Sequence, residues 1–131
     1  MPTPAERLRP PPSVRERGSI VELDLAAAAR ALREEPHPSR NGHRQIGLVH
    51  RGGLRMVLFA FEPGGTLPDH RAPGLVVIHA LTGRLSVRTP EGRHELRAGD
   101  ALLLDPDVPH SIDAAEASDM LLTIHLQGTS R

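Results

Sequence analysis

Residues 64–74 read Gly-Gly-Thr-Leu-Pro-Asp-His-Arg-Ala-Pro-Gly, and residues 99–110 read Gly-Asp-Ala-Leu-Leu-Leu-Asp-Pro-Asp-Val-Pro-His. Between these two segments lie an apolar run, residues 75–81, and a polar hairpin. Glycine and proline thus separate short runs of β-forming residues, at the spacing that is typical of all-β barrels and sandwiches. Each segment also carries one histidine, His70 or His110. The stretch therefore predicts a β-barrel, with two imidazoles among its candidate functional groups.

The composition of the chain excludes several kinds of chemistry. The 131 residues are the length of one domain, and 16 basic residues, all arginine, balance 16 acidic residues. With a formal net charge of zero, no global field attracts nucleic acid or an anionic membrane. The absence of cysteine excludes disulfides and thiolate sites, and the absence of lysine and tyrosine excludes Schiff-base and phenol acid-base catalysis. Eight histidines, the carboxylates, the arginines and a few hydroxyls remain for chemistry.

The two ends of the chain differ from the middle. Residues 1–18 are rich in proline and arginine without an apolar period, which predicts a disordered arm. This arm lacks the apolar core of a signal peptide, and no run in the chain approaches the roughly 18 apolar residues of a membrane span. We therefore expect a cytoplasmic protein with no membrane partner and no direct nucleic-acid partner. Residues 19–126 are predicted to form the folded domain, with an N-terminal strand at residues 20–23 and a helix before the barrel, and residues 127–131 a polar tail.

One helix is predicted before the strands. Asp24 is a suitable N-cap for a helix that continues to about Glu35. Its apolar residues recur at helical spacing, so we expect the helix to pack across a sheet. Alternating or continuously apolar runs then predict seven strands: Gln45–His50, Leu54–Glu62, Leu75–Leu81, Arg84–Arg88, Arg93–Arg97, Ala101–Leu104 and Met120–Leu126.

Two of these strands are apolar on both faces. In Leu54–Glu62 and in Leu75–Leu81, both alternating sets of side chains are largely apolar. A strand of this kind is buried on both sides, whereas a single barrel in water would show clean alternation. Either the N-terminal segment or a second copy of the protein must therefore cover the outside of the barrel, and we expect a homodimer.

The segment from Gly65 to His110 resembles the conserved core of a known family. His70, Gly83, the pair Gly99-Asp100 and His110 stand where the small single-domain cupins have the corresponding residues of their two motifs. The first motif is H-x-H, three or four residues, E, six residues, G; the second is P-x-G-x-x-H, preceded by Gly-Asp. The resemblance covers about residues 20 to 126 and extends to a group of uncharacterised bacterial cupins. It implies an all-β fold, a double-stranded β-helix or jelly-roll barrel with a short N-terminal helix. That fold hosts isomerases, oxygenases, storage proteins and sensor domains.

The departures from the cupin motifs concern the metal ligands. Metal-binding cupins commonly use three histidines and the glutamate, but Ala72 and Val76 occupy the second histidine position and the glutamate position here. Asp105 and Asp107 replace the proline and the glycine of the second motif, which alters the turn without removing a ligand. Only two imidazoles remain, fewer than the three protein ligands that catalytic metal sites usually keep.

Two strand histidines could complete the set of ligands. If Val76 faces the barrel interior, as the resemblance implies, the period of two places His79 on the opposite face, and His125 is placed outside by the same rule. A β-bulge at a flanking glycine would reverse this for His79. His79 is therefore the candidate third ligand of one divalent ion, with Zn, Fe, Mn and Ni not distinguished. The alternative is that His70 and His110 form a metal-free pair that hydrogen-bonds to each other or to water.

The other histidines have ordinary explanations. His37 and His43 lie in a polar loop, where we expect solvated side chains, and His50 and His94 lie beside turns or on exposed strands. None of these four is predicted to belong to the site.

Two functional hypotheses follow. The first, which we favour because half of the expected ligands are missing, is a small-molecule-binding barrel in which His70 and His110 hydrogen-bond to the ligand. The second is a mononuclear metal-dependent enzyme of the oxygenase or isomerase type that acts on a small oxygenated substrate.

Overall fold

The computed structural model describes residues 18–126, so the predicted arm, apart from its last residue, and the polar tail lie outside the described residues. The described part contains one helix, α1 (Leu25–Arg33), and nine strands. The strands are β1 (His43–Arg51), β2 (Leu54–Phe61), β3 (Thr66–His70), β4 (Leu75–Thr82), β5 (Arg84–Thr89), β6 (Gly92–Arg97), β7 (Ala101–Leu104), β8 (His110–Ala114) and β9 (Ser118–His125).

The strands form two antiparallel sheets. The larger sheet has the order β1-β2-β9-β4-β7, and the smaller has the order β3-β8-β5-β6. Buried apolar side chains from both sheets make one core, to which β2, β4, β5, β8 and β9 all contribute. This confirms the predicted all-β barrel with a short N-terminal helix. Within the described residues, no helix is both long and apolar enough to cross a membrane.

Strand alternation decides which side chains face the core. On β4, Val76, Ile78 and Ala80 are buried in the barrel core, and the residues between them are only half-buried. The next strand along the chain, β5, belongs to the smaller sheet and contributes Leu85 and Val87 to the same core. The period of two is unbroken along this part of β4, because the register shift on this strand lies after Ala80.

A second apolar cluster covers the outside of the larger sheet. Ala29 of α1 packs there with Leu58 of β2 and Leu121 of β9, on the face of the sheet that points away from the barrel. The side chain of Asp24 accepts a hydrogen bond from the Ala27 backbone N–H at 3.0 Å, which confirms the predicted N-cap. The helix ends at Arg33, about two residues before the predicted end. Coverage by the N-terminal segment thus explains in part why β2 and β4 are apolar on both faces.

Two strands, β3 and β8, are not among the seven predicted from the sequence. Both are only five residues long. β3 contains Pro68, which lacks the N–H that a central strand would need, and β3 is accordingly an edge strand of its sheet. β8 interleaves Ser111 and Asp113 with its buried residues, and aspartate is depleted in strands. These two strands carry the histidines of the candidate site.

One edge of the barrel is closed by hydrogen bonds that join β3 to the start of β1 and to the turn before it. The Thr66 backbone N–H donates to the Asn41 carbonyl at 2.9 Å, and His43 Nδ1 lies 2.9 Å from the Thr66 carbonyl oxygen. His43 is 7% exposed, and its ring lies 5.4 Å from that of Phe59. The prediction that His43 is solvated is therefore wrong, because this side chain joins the two sheets.

Candidate functional site

His70 and His110 lie directly opposite each other on β3 and β8. Leu67 is paired with Ile112, but the next pair is His70 with His110, so β3 contains one residue more than β8 between the two pairs. This bulge places His70, rather than Asp69, opposite His110. Because paired residues point to the same face of a sheet, the bulge brings two imidazoles together.

The two rings are in contact and are oriented by backbone groups. Their centroids are 4.1 Å apart, with an angle of 61° between the ring planes. His70 Nδ1 lies 3.0 Å from the Pro68 carbonyl oxygen, and His110 Nδ1 lies 3.1 Å from the Val108 carbonyl oxygen. A carbonyl oxygen only accepts hydrogen bonds, so each Nδ1 carries the proton and donates it. In the neutral form of each ring, Nε2 is then a hydrogen-bond acceptor.

His110 is the more buried member of the pair. It is 1% exposed, and burial lowers the pKa of its imidazole. The nearby His70 acts in the same direction, whereas the hydrogen bond to Val108 and the charge of Asp69 raise this pKa against the net shift. The Nε2 atom of His110 is buried without a hydrogen-bond partner among the described residues. A neutral ring with a free lone pair therefore lies inside the barrel.

The positions that differ from the cupin motifs are filled by apolar or backbone contacts. Ala72 and Val76 are buried in the barrel core, so no carboxylate or imidazole comes from these positions. Asp107, at the glycine position of the second motif, has a φ of 66°, in the left-handed region that glycine adopts readily and aspartate tolerates. Its backbone N–H donates to the Ala72 carbonyl at 2.8 Å. The turn before His110 thus keeps a left-handed residue without glycine.

The candidate third ligand does not join the pair. His79 lies between buried Ile78 and Ala80 on β4, so it points to the outer face of the larger sheet, as the parity argument predicts. His125, at the end of β9, is exposed. Within residues 18–126, no group of three or more histidine, cysteine, aspartate or glutamate side chains is placed so that it could hold a metal ion. The structure therefore does not support His79 as the third ligand.

The pair has some, but not all, features of a metal site. Histidine ligands commonly donate their second ring nitrogen to a backbone carbonyl, as both rings do here. The buried Nε2 atom of His110 would be free to coordinate an ion. Two imidazoles nevertheless fall short of the usual number of protein ligands. The described residues do not by themselves fit a resident metal ion.

His94 faces the barrel interior, although its position in the sequence predicts a histidine beside a turn or on an exposed strand. It is paired with Val87, a core residue, and lies two residues before the buried Leu96 on β6. Its Nε2 atom is 3.0 Å from Thr89 Oγ1, so the two side chains are hydrogen-bonded. The spacing to Leu96 is a signal that could have found this histidine, since residues two apart on a strand share a face.

The fold and the histidine pair, of which His110 is buried, define a barrel protein with a polar site, and a comparison with known families agrees. The family model described as the cupin domain matches residues 57–125, more than half of the chain. The chain belongs to the cupin-domain family. No curated protein matches the chain in sequence.

Solved structures share this fold at low sequence identity. A conserved protein of unknown function from Streptococcus pyogenes has a TM-score of 0.63 and 22% identity, covering 70% of this chain and 80% of that one. KdgF from a Halomonas species has a TM-score of 0.63 and 18% identity, with 71% and 86% covered. Salicylate 1,2-dioxygenase from Pseudoaminobacter salicylatoxidans has a TM-score of 0.67 and 22% identity; the match covers 76% of this chain but 31% of that enzyme. These similarities concern the fold alone.

Proposed function

We propose that this cupin binds a small molecule inside its barrel, through His70 and His110. The observation that carries the proposal is the buried Nε2 atom of His110, which has no hydrogen-bond partner among the described residues. An unsatisfied buried acceptor costs about 1–3 kcal/mol, and a ligand that donates a hydrogen bond to it would remove this cost. The ligand is thus expected to carry a hydroxyl or an N–H group.

Two features of the site favour a neutral hydrogen-bonding role over acid catalysis by His110. The lowered pKa of His110 keeps its imidazole unprotonated near neutral pH. The hydrogen bond to Val108 holds its proton on Nδ1, so Nε2 stays an acceptor. Ala72 and Val76, which replace the two missing ligands, belong to the apolar core of the barrel. A few polar groups in an apolar pocket are what small-molecule sites generally contain.

A thermal-shift screen tests this proposal. The panel consists of hydroxylated small molecules, among them salicylate, because one structural neighbour is a salicylate dioxygenase. A ligand at 100 times its Kd stabilises the native state by about 2.7 kcal/mol, and we expect the melting temperature to rise by roughly 10 °C. The rise should be the same with and without a chelator.

Variants locate the binding. His110→Leu removes the acceptor and should abolish the ligand-dependent rise, while His125→Gln, a change at an exposed histidine, should leave it intact. A ligand that stabilises His110→Leu as strongly as the parent protein would show that the pair is not the binding site.

A second candidate function is a mononuclear metal-dependent enzyme of the oxygenase or isomerase type. It is favoured by the backbone-anchored Nδ1 atoms of both rings, the arrangement found in ligating histidines. Its test is the metal content of the untagged protein. About one ion per chain, lost in both His70→Ala and His110→Ala, would favour this function; metal far below that level, unchanged in the variants, would exclude it.

We also propose that two copies associate. The support is the apolar outer surface near β7, where Leu103 is exposed and α1 does not pack. A cytoplasmic location stays a prediction.

A further inference from the structure

A cleft separates the edge strands β6 and β7 at the end of the barrel where the β5–β6 hairpin turns. Its volume is about 420 Å³, within the range of 300–1,000 Å³ that is usual for small-molecule sites. The opposite edge of the barrel, between β1 and β3, is closed by hydrogen bonds. The cleft lies on the side of the barrel where β6 and β7 are the edge strands, and neither His70 nor His110 lines it.

The floor of the cleft is apolar and belongs to the barrel. Leu102, Leu104 and Val108 line it, and all three are part of the barrel core or pack against it; the exposed Leu103, between two of them on β7, also lines the cleft and is the residue at which a second copy is proposed to pack. An apolar molecule in the cleft would therefore cover core side chains that the sheets leave open at this point. Burial of apolar surface is the main source of affinity in sites of this kind.

The charged residues of the cleft are all acidic. Glu91, in the hairpin, and Asp105, after β7, both line it. The chain has 16 arginines, yet none of those in the described residues lines the cleft. The local charge is therefore negative in a chain whose formal net charge is zero. Thr89 and His94 add a polar wall, but their side chains already hydrogen-bond to each other.

We propose that the cleft between β6 and β7 binds a small organic cation, with its apolar body on Leu102, Leu104 and Val108 and its ammonium group beside Glu91 and Asp105. Charge complementarity selects the cation over an anion of the same shape. The absence of a suitable group of three ligands among the described residues argues against a bare metal ion as the occupant.

Three probes of matched shape test the proposal: 2-phenylethylamine, 2-phenylethanol and phenylacetate, added to the full chain at low salt and followed by methyl NMR. We expect the amine to shift the methyl signals of Leu102, Leu104 and Val108 and to bind more tightly than the alcohol, with phenylacetate the weakest. The preference for the amine over the alcohol should shrink in 0.5 M NaCl, because salt screens exposed charges.

A double variant locates the selectivity. Glu91→Gln with Asp105→Asn should weaken binding of 2-phenylethylamine by roughly fivefold, as expected for two exposed ion pairs, and should leave 2-phenylethanol unaffected. The control, Glu34→Gln with Glu116→Gln, removes the same charge from exposed positions away from the cleft and should change neither probe.

Equal binding of the amine and phenylacetate, or equal losses in both double variants, would overturn the proposal. Shifts confined to residues around His70 and His110, or binding lost in His110→Leu, would assign the probe to the histidine pair instead. Retained binding in His110→Leu would show that the cleft is a separate site, whatever the outcome for the pair.

Discussion

At the scale of single residues, His110 combines features that stability alone does not explain. A buried imidazole with an unpartnered nitrogen lowers the stability of the barrel, whereas an apolar side chain of similar size would avoid that cost. The protein keeps the group in a neutral, oriented state by means of burial and one backbone hydrogen bond. Buried groups with a displaced pKa are more frequent at functional sites than elsewhere.

The lowered pKa of His110 predicts a loss of stability in mild acid. In the unfolded chain this histidine has the ordinary pKa of about 6.5, so the unfolded state binds the proton more readily than the native state does. As the pH falls below about 6.5 toward the lowered native pKa, protons therefore favour unfolding, and the free energy of unfolding decreases. Urea titrations of the parent and of His110→Gln between pH 8 and pH 5 measure this; the variant should show a shallower decrease.

His125→Gln is the control for this prediction, because it also removes one histidine but from an exposed position. Its pH dependence should follow that of the parent more closely than that of His110→Gln. Identical slopes for the parent and His110→Gln would contradict the assignment of the acid-sensitive step to His110.

The sequence identifies residues of the site better than it identifies their surroundings. His70 and His110 are predicted from the resemblance to the two cupin motifs, and strand parity correctly places His79 outside. The buried state of His43 and the barrel-facing position of His94 are not predicted, because both residues lie beside loops or turns in the sequence, where surface histidines are common. The buried state of His43 depends on β3, a strand from a distant part of the chain, and no local pattern reveals that contact.

At the scale of elements, α1 is fastened to the barrel by one arginine. The guanidinium of Arg33 donates to the Phe61 carbonyl at 3.2 Å and to the Ser118 carbonyl at 3.1 Å, and it pairs with Asp119 at 2.6 Å. These groups lie at the end of β2 and the start of β9, which are neighbours in the larger sheet. The apolar contacts of α1 and this polar anchor act on the same face of the sheet.

Arg33→Met should therefore weaken the attachment of the helix. It removes charge-assisted hydrogen bonds to two carbonyls and one carboxylate while retaining an unbranched apolar stem, and we expect a loss of about 1–2 kcal/mol in the free energy of unfolding, since the group is partly exposed. Arg30→Met is the matched control, because Arg30 also lies in the last turn of α1 but is exposed. Urea unfolding measures both variants, and equal losses would refute the anchoring role.

Elements with strong local patterns are predicted, and the short strands of the site are not. The helix and the seven runs of alternating or continuously apolar residues all correspond to elements of the structure, whereas the predicted N-terminal strand at residues 20–23 is wrong, because this segment pairs with no strand of the described residues. β3 and β8 are missed because one contains proline and a bulge and the other interleaves polar residues. β3 pairs with β8, and β8 pairs in turn with β5, so their stability is a property of the sheet and not of the local sequence.

At the scale of the whole molecule, the outer face of the larger sheet is only partly covered. The cluster under α1 includes Leu58, Leu121 and, at its margin, Met56. Met56 begins a row of residues that are paired across neighbouring strands. The row runs through Thr123 of β9 and Val77 of β4 to Leu103 on the edge strand β7. Leu103 is 63% exposed. An apolar surface that continues from a buried cluster to an exposed leucine is typical of an interface between chains.

We therefore predict that the protein is a homodimer that buries the outer face around Leu103, and that Leu103→Arg dissociates it. A charge at the centre of an apolar interface would be buried without a partner, which costs more than a small interface can supply. Size-exclusion chromatography with light scattering, at about 50 µM chain, should show a mass twice that of the chain for the parent and the mass of one chain for the variant. Ile20→Arg is the control, since Ile20 is the other large apolar side chain exposed within the described residues and lies before α1. A monomeric parent, or a dimeric Leu103→Arg, would mean that the second copy does not cover this face.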